Sequence, residues 1–370
     1  MTPPTKPKSA RPKPGQPREP ATLIDCDVHN YPVNTAALAP YLSKRWNEFI
    51  RQCGFVAPQD TSYKGGYPFN ARRDATTPDG HRPGADPAFA AHQLLDTWNI
   101  RYAIINTLYG VPFINNLGFA NAMMRAINDW NAATWLDADP RWRGSILVNE
   151  NDPEESAAEI RRAAKDPRYV QVLLFARSFA PYGQKQFLPI FKAACDVGLP
   201  VGIHFGGGLR MPVTACGWPT YYIEHHTGMT QAFEAQVISL VCEGTFERFP
   251  DLRVVLIEGG FAWLPPLMWR LDKNYMGLRH EVPWLKQLPS EYIRHRFRAT
   301  TQPIEEPPDP KHLLSIIEMI GNDDFLMFAT DYPHWDFDAP DRAIPSVIPD
   351  ALRRRIFSTN AASCYAFDRS

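Results

Sequence analysis

Asp27-Val28-His29 sets a carboxylate and an imidazole two residues apart, and on an extended strand that spacing points both side chains the same way. His204 and Glu258 close the apolar runs LPVGIH and LRVVLIE, and Asp331 follows DFLMFAT. Imidazole and carboxylate donors without thiolates suit a divalent metal; Zn²⁺, Mn²⁺ and Fe²⁺ all fit. Each residue also has a plainer use. A single histidine at a strand end is commonly a hydrogen-bonded pocket residue. Asp331 before Tyr332-Pro333 can form a turn, and Glu258 before Gly259-Gly260 can cap the next helix. Such residues gathered at the ends of four strands favour a shared metal site.

Further donors lie near these positions in sequence: Glu224, His225 and His226 in one connection, and His334 just past Asp331. With Glu258 or Asp331 as a bridge, His225, His226 and His334 would supply a second ion. The run YVQVLLFAR ends without a lysine that could be carbamylated to bridge two metals. Its Arg177 could anchor a substrate carboxylate or pair with a neighbouring acid. Trp218, Tyr221, Tyr222 and Trp335 in the same connections point to a flat, partly apolar small molecule.

These donors need a frame that brings distant strand ends together. Eight apolar, β-branched runs read as strands: 22–28, 101–107, 143–148, 169–175, 199–204, 252–258, 295–301 and 324–330. Amphipathic patterns such as 88–98, 119–136, 152–165 and 184–198 alternate with them. Nearly all-apolar strands alternating with helices are what a closed parallel barrel requires. A doubly wound sheet would open with a glycine-rich phosphate turn, and here the first strand leads into DVHNYP. The expected fold is a distorted (β/α)8 TIM barrel over residues 21–370. Active sites in that fold lie at the C-terminal ends of the strands. Two long βα connections, 51–86 and 204–227, should therefore cover the mouth.

Composition narrows the class. The 370 residues carry 39 Lys and Arg against 40 Asp and Glu, a balance that gives nucleic acid no basic face. Residues 1–20 differ, with Lys6, Lys8, Arg11, Lys13 and Arg18 against Glu19 alone and seven prolines; a disordered tail is expected there. Lys192 and Asp196 interrupt the best apolar run, so no membrane span is expected. Six cysteines without a C-x-x-C pair read as reduced thiols of a cytoplasmic protein.

DVH at 27–29, GIHFGGG at 202–208, GTFERFPDLRVVLIEGGFAWLPPLMWRLD at 244–272 and ATDYP at 329–333 together resemble the amidohydrolase superfamily. The resemblance is to its amidohydrolase-related branch, which includes aminocarboxymuconate-semialdehyde decarboxylase and aromatic-acid decarboxylases, and it runs from Ile24 to about Tyr365. It implies a distorted (β/α)8 barrel with a metal, Zn or Mn, at the mouth. Asp27, His29 and His204 would be ligands, and Asp331 a ligand or proton acceptor. Two departures stand out. Asp27 replaces the usual His or Glu and remains a ligand. Glu258 replaces the histidine of His-Gly-Gly, which normally activates water or moves a proton.

Two mechanisms follow from that expectation. In a mononuclear hydrolase or carbon–carbon lyase, the metal activates water or grips a carboxylate while Asp331, with Glu258 or His226, moves the proton. Alternatively, a dinuclear Fe or Fe/Mn monooxygenase would use the additional donors. Relatives commonly assemble, so a homo-oligomer, or a hetero-oligomer with a related subunit, is expected. A chain that keeps its metal for structure while a partner does the chemistry is the third possibility.

Overall fold

The computed structural model describes residues 22–58, 70–207 and 212–367; the basic segment 1–20 lies outside them. Eight strands form one sheet: β1 (Leu23–Val28), β2 (Ile100–Ile105), β3 (Trp142–Leu147), β4 (Tyr169–Arg177), β5 (Val201–Gly207), β6 (Val254–Ile257), β7 (Phe297–Thr300) and β8 (Leu326–Met327). They follow one another in chain order, and every neighbouring pair is parallel. All nine residues of β4 are buried, as expected of a parallel strand covered on both faces.

The seam between β8 and β1 completes the barrel. Cys26 N–H donates to the Phe328 carbonyl at 2.9 Å, and Val28 bridges to Tyr332 in parallel fashion. Asp25 locks the seam further, accepting from the Thr330 N–H at 3.0 Å and the Thr330 hydroxyl at 2.5 Å.

Three outer helices begin at Asp-Pro: Pro87–Ala90, Pro153–Ala163 and Pro310–Ile320. The Asp side chain accepts an N–H of the first turn, while proline fills the position whose own N–H would have no partner. The expected helices are present. The patterns at 88–98 and 119–136, however, change to wider π-type turns over Ala91–Asp96 and Asn131–Leu136.

Ile24, Cys26, Ile104, Val170, Val255, Ile257 and Met327 form one apolar cluster with Ala361, Ala362, Cys364, Tyr365 and Phe367. Residues from five strands around a ring can meet only inside it, so the C-terminal segment plugs the floor. Above the plug runs a polar chain. Tyr365 OH donates to Gln171 Oε1 (3.1 Å), Gln171 Nε2 to Ser145 Oγ (2.8 Å) and Asn106 Oδ1 (2.9 Å), and Ser145 Oγ to Asn106 Oδ1 (2.6 Å). The far larger second cluster lies between strands and helices.

At the opposite end, the segment after residue 69 folds over the rim. Trp335 N–H donates to the Asn70 carbonyl and Arg72 N–H to the Pro333 carbonyl, both at 2.9 Å, in keeping with the expected cover. Residues 59–69 and 208–211 of the two long connections lie outside the described residues. The second connection is not all loop, because Tyr222–Gly228 is helical. Among the described residues, no helix is long and apolar enough to cross a membrane.

Candidate metal centre

Asp27, His29, His204, Glu258 and Asp331 meet at the C-terminal rim, all buried. The path of β1 is not a simple alternation, since its register against β2 shifts between Asp25 and Val28. Even so, both residues of the DVH motif reach the same spot. His29 Nε2 lies 3.3 Å from Asp27 Oδ1 and 2.8 Å from Asp331 Oδ1. His204 Nε2 lies 3.2 Å from both Asp27 oxygens and 3.5 Å from Glu258 Oε2.

The other ring nitrogens fix the tautomers. His29 Nδ1–H donates to the Asn106 carbonyl at 2.8 Å, and His204 Nδ1–H to the Phe205 carbonyl at 2.7 Å. Each ring therefore turns a lone pair on Nε2 towards a cluster of carboxylates. Lone pairs facing carboxylate oxygens at such distances need a cation or a proton between them. His29 Nε2 and Glu258 Oε2 are also buried without a hydrogen-bond partner. Converging donors held by outer hydrogen bonds fit a divalent ion such as Zn or Mn.

Charge follows the same geometry. Burial alone would raise the Asp27 carboxyl, but the facing His29 and His204 imidazoles outweigh it and hold Asp27 well below the usual carboxylate range. Asp331 is lowered likewise against burial, by His334 and His29. Glu258 goes the other way: burial, then repulsion from Asp331, Asp27 and Asp336, pushes it well up. Behind the first strand, burial lifts Asp25 to about 7 despite its bonds from Thr330.

Glu258 and Asp331 share a backbone peculiarity, a φ of 60° at each. Left-handed backbone at a residue other than glycine costs on the order of 1–3 kcal/mol and persists where its surroundings enforce it. Glu258 N–H donates to Thr300 Oγ1 at 3.0 Å and Asp331 N–H to the Asp27 carbonyl at 3.1 Å, which holds both turns. Glu258 is not a helix cap. The turn between it and the helix Leu264–Leu278 is held by Glu305, whose Oε1 accepts from Phe261 N–H and Ala262 N–H at 3.0 and 2.9 Å. Gly260 permits the approach: its φ is 61°, and a Cβ there would lie 2.7 Å from Glu305 Oε1.

The paired histidines separate. His226 Nε2 faces Glu258 Oε1 at 3.8 Å and Asp336 Oδ2 at 3.4 Å. His225 packs instead beside Phe205 and Tyr222, and burial, then Arg177 and His226, lower it to about 4. None of the converging donor groups among the described residues includes His225. His334 has both ring nitrogens engaged, Nδ1 with Asp331 Oδ1 at 2.7 Å and Nε2 with Tyr31 OH at 3.4 Å. It stacks on His29 with ring centroids 4.4 Å apart.

Tyr222 and Trp335 flank His226 at 5.7 and 5.8 Å between ring centroids. Arg177 Nη2 donates to the Gly207 carbonyl at 2.7 Å, and its guanidinium lies 5.5 Å from the Trp218 ring. Three contributors were not singled out from sequence. Asn106 Nδ2 donates to Asp27 Oδ1 at 2.8 Å while its carbonyl holds His29. Gln302 Nε2 donates to Asp331 Oδ2 (3.3 Å) and to Asp336 Oδ2 (3.0 Å). Asn106 lies within an expected strand and Gln302 just past one, so rim position was an available signal; Asp336 had none.

Residues 24–367 match the amidohydrolase family profile. The gamma-resorcylate decarboxylase of a Polaromonas species is 26% identical over 266 residues, covering 68% of this chain and 78% of the relative. Two solved structures share the fold. One is a dihydroxybenzoic acid decarboxylase from Polaromonas with bound manganese and 2-nitroresorcinol (TM-score 0.67, 21% identity, 95% of this chain and 98% of that one). The other is the 5-carboxyvanillate decarboxylase of Novosphingobium aromaticivorans with manganese and a nitrobenzoic acid (TM-score 0.70, 19% identity, 94% and 96%).

Proposed function

The chain belongs to the amidohydrolase family, and on that premise we propose that it is a divalent-metal-dependent decarboxylase of a hydroxylated aromatic acid, with manganese as the metal. The observation that carries this reading is the buried set Asp27, His29, His204 and Asp331, with both imidazoles anchored through Nδ1 and aimed through Nε2. The decarboxylases among its relatives support this chemistry over the oxygenase alternative.

Those four residues would hold the ion. Bound there, it would supply a Lewis acid that fixes the carboxylate of the substrate and withdraws charge from the bond that breaks. The reaction itself is balanced: the ring carbon loses CO₂ and gains one proton. His226, between Glu258 and Asp336, is placed to carry that proton. Asp331 orients His29 and, through His334, offers a second proton path. Tyr222 and Trp335 would wall the ring, with Arg177 and Trp218 towards its far edge.

The test is CO₂ release. Manganese-loaded protein should convert at least one of a panel of hydroxybenzoates, including gamma-resorcylate and 5-carboxyvanillate, to the corresponding phenol with equal CO₂. Metal-loaded, folded protein that released no CO₂ from any of them would end this reading.

A further inference from the structure

Glu258 does not face a single set of donors. Its Oε2 lies 3.5 Å from His204 Nε2, on the side of Asp27 and His29, and has no hydrogen-bond partner although the residue is only 4% exposed. Its Oε1 lies 3.8 Å from His226 Nε2, and His226 Nε2 lies 3.4 Å from Asp336 Oδ2. The donor atoms of His226, Glu258 and Asp336 fall within 4.8 Å of one another, as do those of Asp27, His29, His204 and Glu258. One carboxylate thus joins two donor groups that share no other residue.

We propose that His226, Glu258 and Asp336 form a second divalent-cation site, bridged to the first through the two oxygens of Glu258. Imidazole and carboxylate donors are those preferred by Mn²⁺ and Zn²⁺. Asp336 is held for this role by Gln302, which donates to it at 3.0 Å and to Asp331 at 3.3 Å. Gln302 therefore couples the outer ligand of one site to a ligand of the other. The site differs from the one expected from sequence: Asp336 takes the place of His225, which packs beside Phe205 and Tyr222, while His334 groups with His29, Glu258 and Asp331. The inference goes beyond the decarboxylase reading. It changes one role in that reading: an ion there would take up the His226 lone pair, and the proton would pass instead by the second path, through His334 and Asp331.

Protein stripped with chelator, desalted and titrated with Mn²⁺ should take up about two ions per chain, and the pair should show exchange coupling by electron paramagnetic resonance. Asp336→Asn should bind about one ion per chain and lose the coupled signal, with an unchanged far-ultraviolet circular dichroism spectrum. His226→Ala should do the same, which guards against one variant failing to fold. Uptake that stops at one ion in the parent protein would overturn the proposal. So would a second ion retained by both variants, which would place it elsewhere. The two readings fail separately: a two-ion protein without CO₂ release removes only the decarboxylase, and a one-ion protein that decarboxylates removes only the second site.

Discussion

The floor and the mouth of the barrel are both lined with buried polar side chains, but they satisfy them differently. At the floor, Tyr365, Gln171, Ser145 and Asn106 saturate one another with neutral hydrogen bonds. At the mouth, buried ionisable atoms face one another instead, His29 Nε2 against Asp27 and Asp331 and Glu258 Oε2 against His204, and Glu258 and Asp331 sit on left-handed backbone. Neutral, fully paired networks add rigidity. Crowded buried ionisable groups and strained backbone lower stability, and the mouth carries both where a ligand would complete the site. Asn106 joins the two regions, because its side chain ends the floor network and also donates to Asp27.

The contrast breaks most visibly at the ligands. His204→Ala and His29→Ala should strip the metal and lower kcat/KM by ~10³-fold or more, yet remain folded, because the floor core is untouched. Metal analysis with circular dichroism checks this; full occupancy in either variant would remove that residue from the metal site. Asn106→Ala tests the junction. Loss of its bond to Asp27 should weaken metal binding by ~10–100-fold in competition with a chelating dye, and an unaltered affinity would separate floor from mouth.

A third experiment sharpens the electrostatic side. Glu150, just after β3, is buried with Oε2 unpaired, and burial raises its carboxyl to about 8. The folded chain then holds a proton that the unfolded chain releases above its ordinary value of 4.5. The contribution is fully present below that value and is lost as pH rises towards about 8. Thermal melts should show the parent protein losing stability across this window relative to Glu150→Gln; parallel curves would mean the carboxyl is not raised. The smallest effect belongs to the floor: Tyr365→Phe should cost ~1 kcal/mol by denaturant titration with no change in metal content.

Much of this was legible in the sequence. Parallel strands covered on both faces must be apolar throughout, so β4 and its neighbours announce themselves, and donors at their ends necessarily point to one rim. Asp27, His29, His204, Glu258 and Asp331 were found for that reason. The choice between His225 and His226 was not legible. Adjacent residues on a helix differ by about 100° in direction, so only one can face the carboxylates, and the phase of the helix Tyr222–Gly228 is set by packing. Asp336 was hidden because nothing in DYPHWDFDAPD distinguishes it from Asp338 or Asp341 before the loop folds back onto Gln302. The π-type turns also escaped, since their helical patterns read as ordinary α-helix.

The floor plug has a consequence for how the molecule is made. Ala361, Ala362, Cys364, Tyr365 and Phe367 fill the interior beneath β1, β2, β4, β6 and β8. During translation, every strand leaves the ribosome before the residues that fill the space between them. The seam of β1 with β8 likewise waits for a partner roughly 300 residues away, the most costly kind of closure to reach early. The strands should therefore remain an open, unfilled sheet until residues 361–367 are available to pack between them. Its demand for chaperones should be concentrated at that stage, and metal capture at the mouth should follow the insertion of residues 361–367.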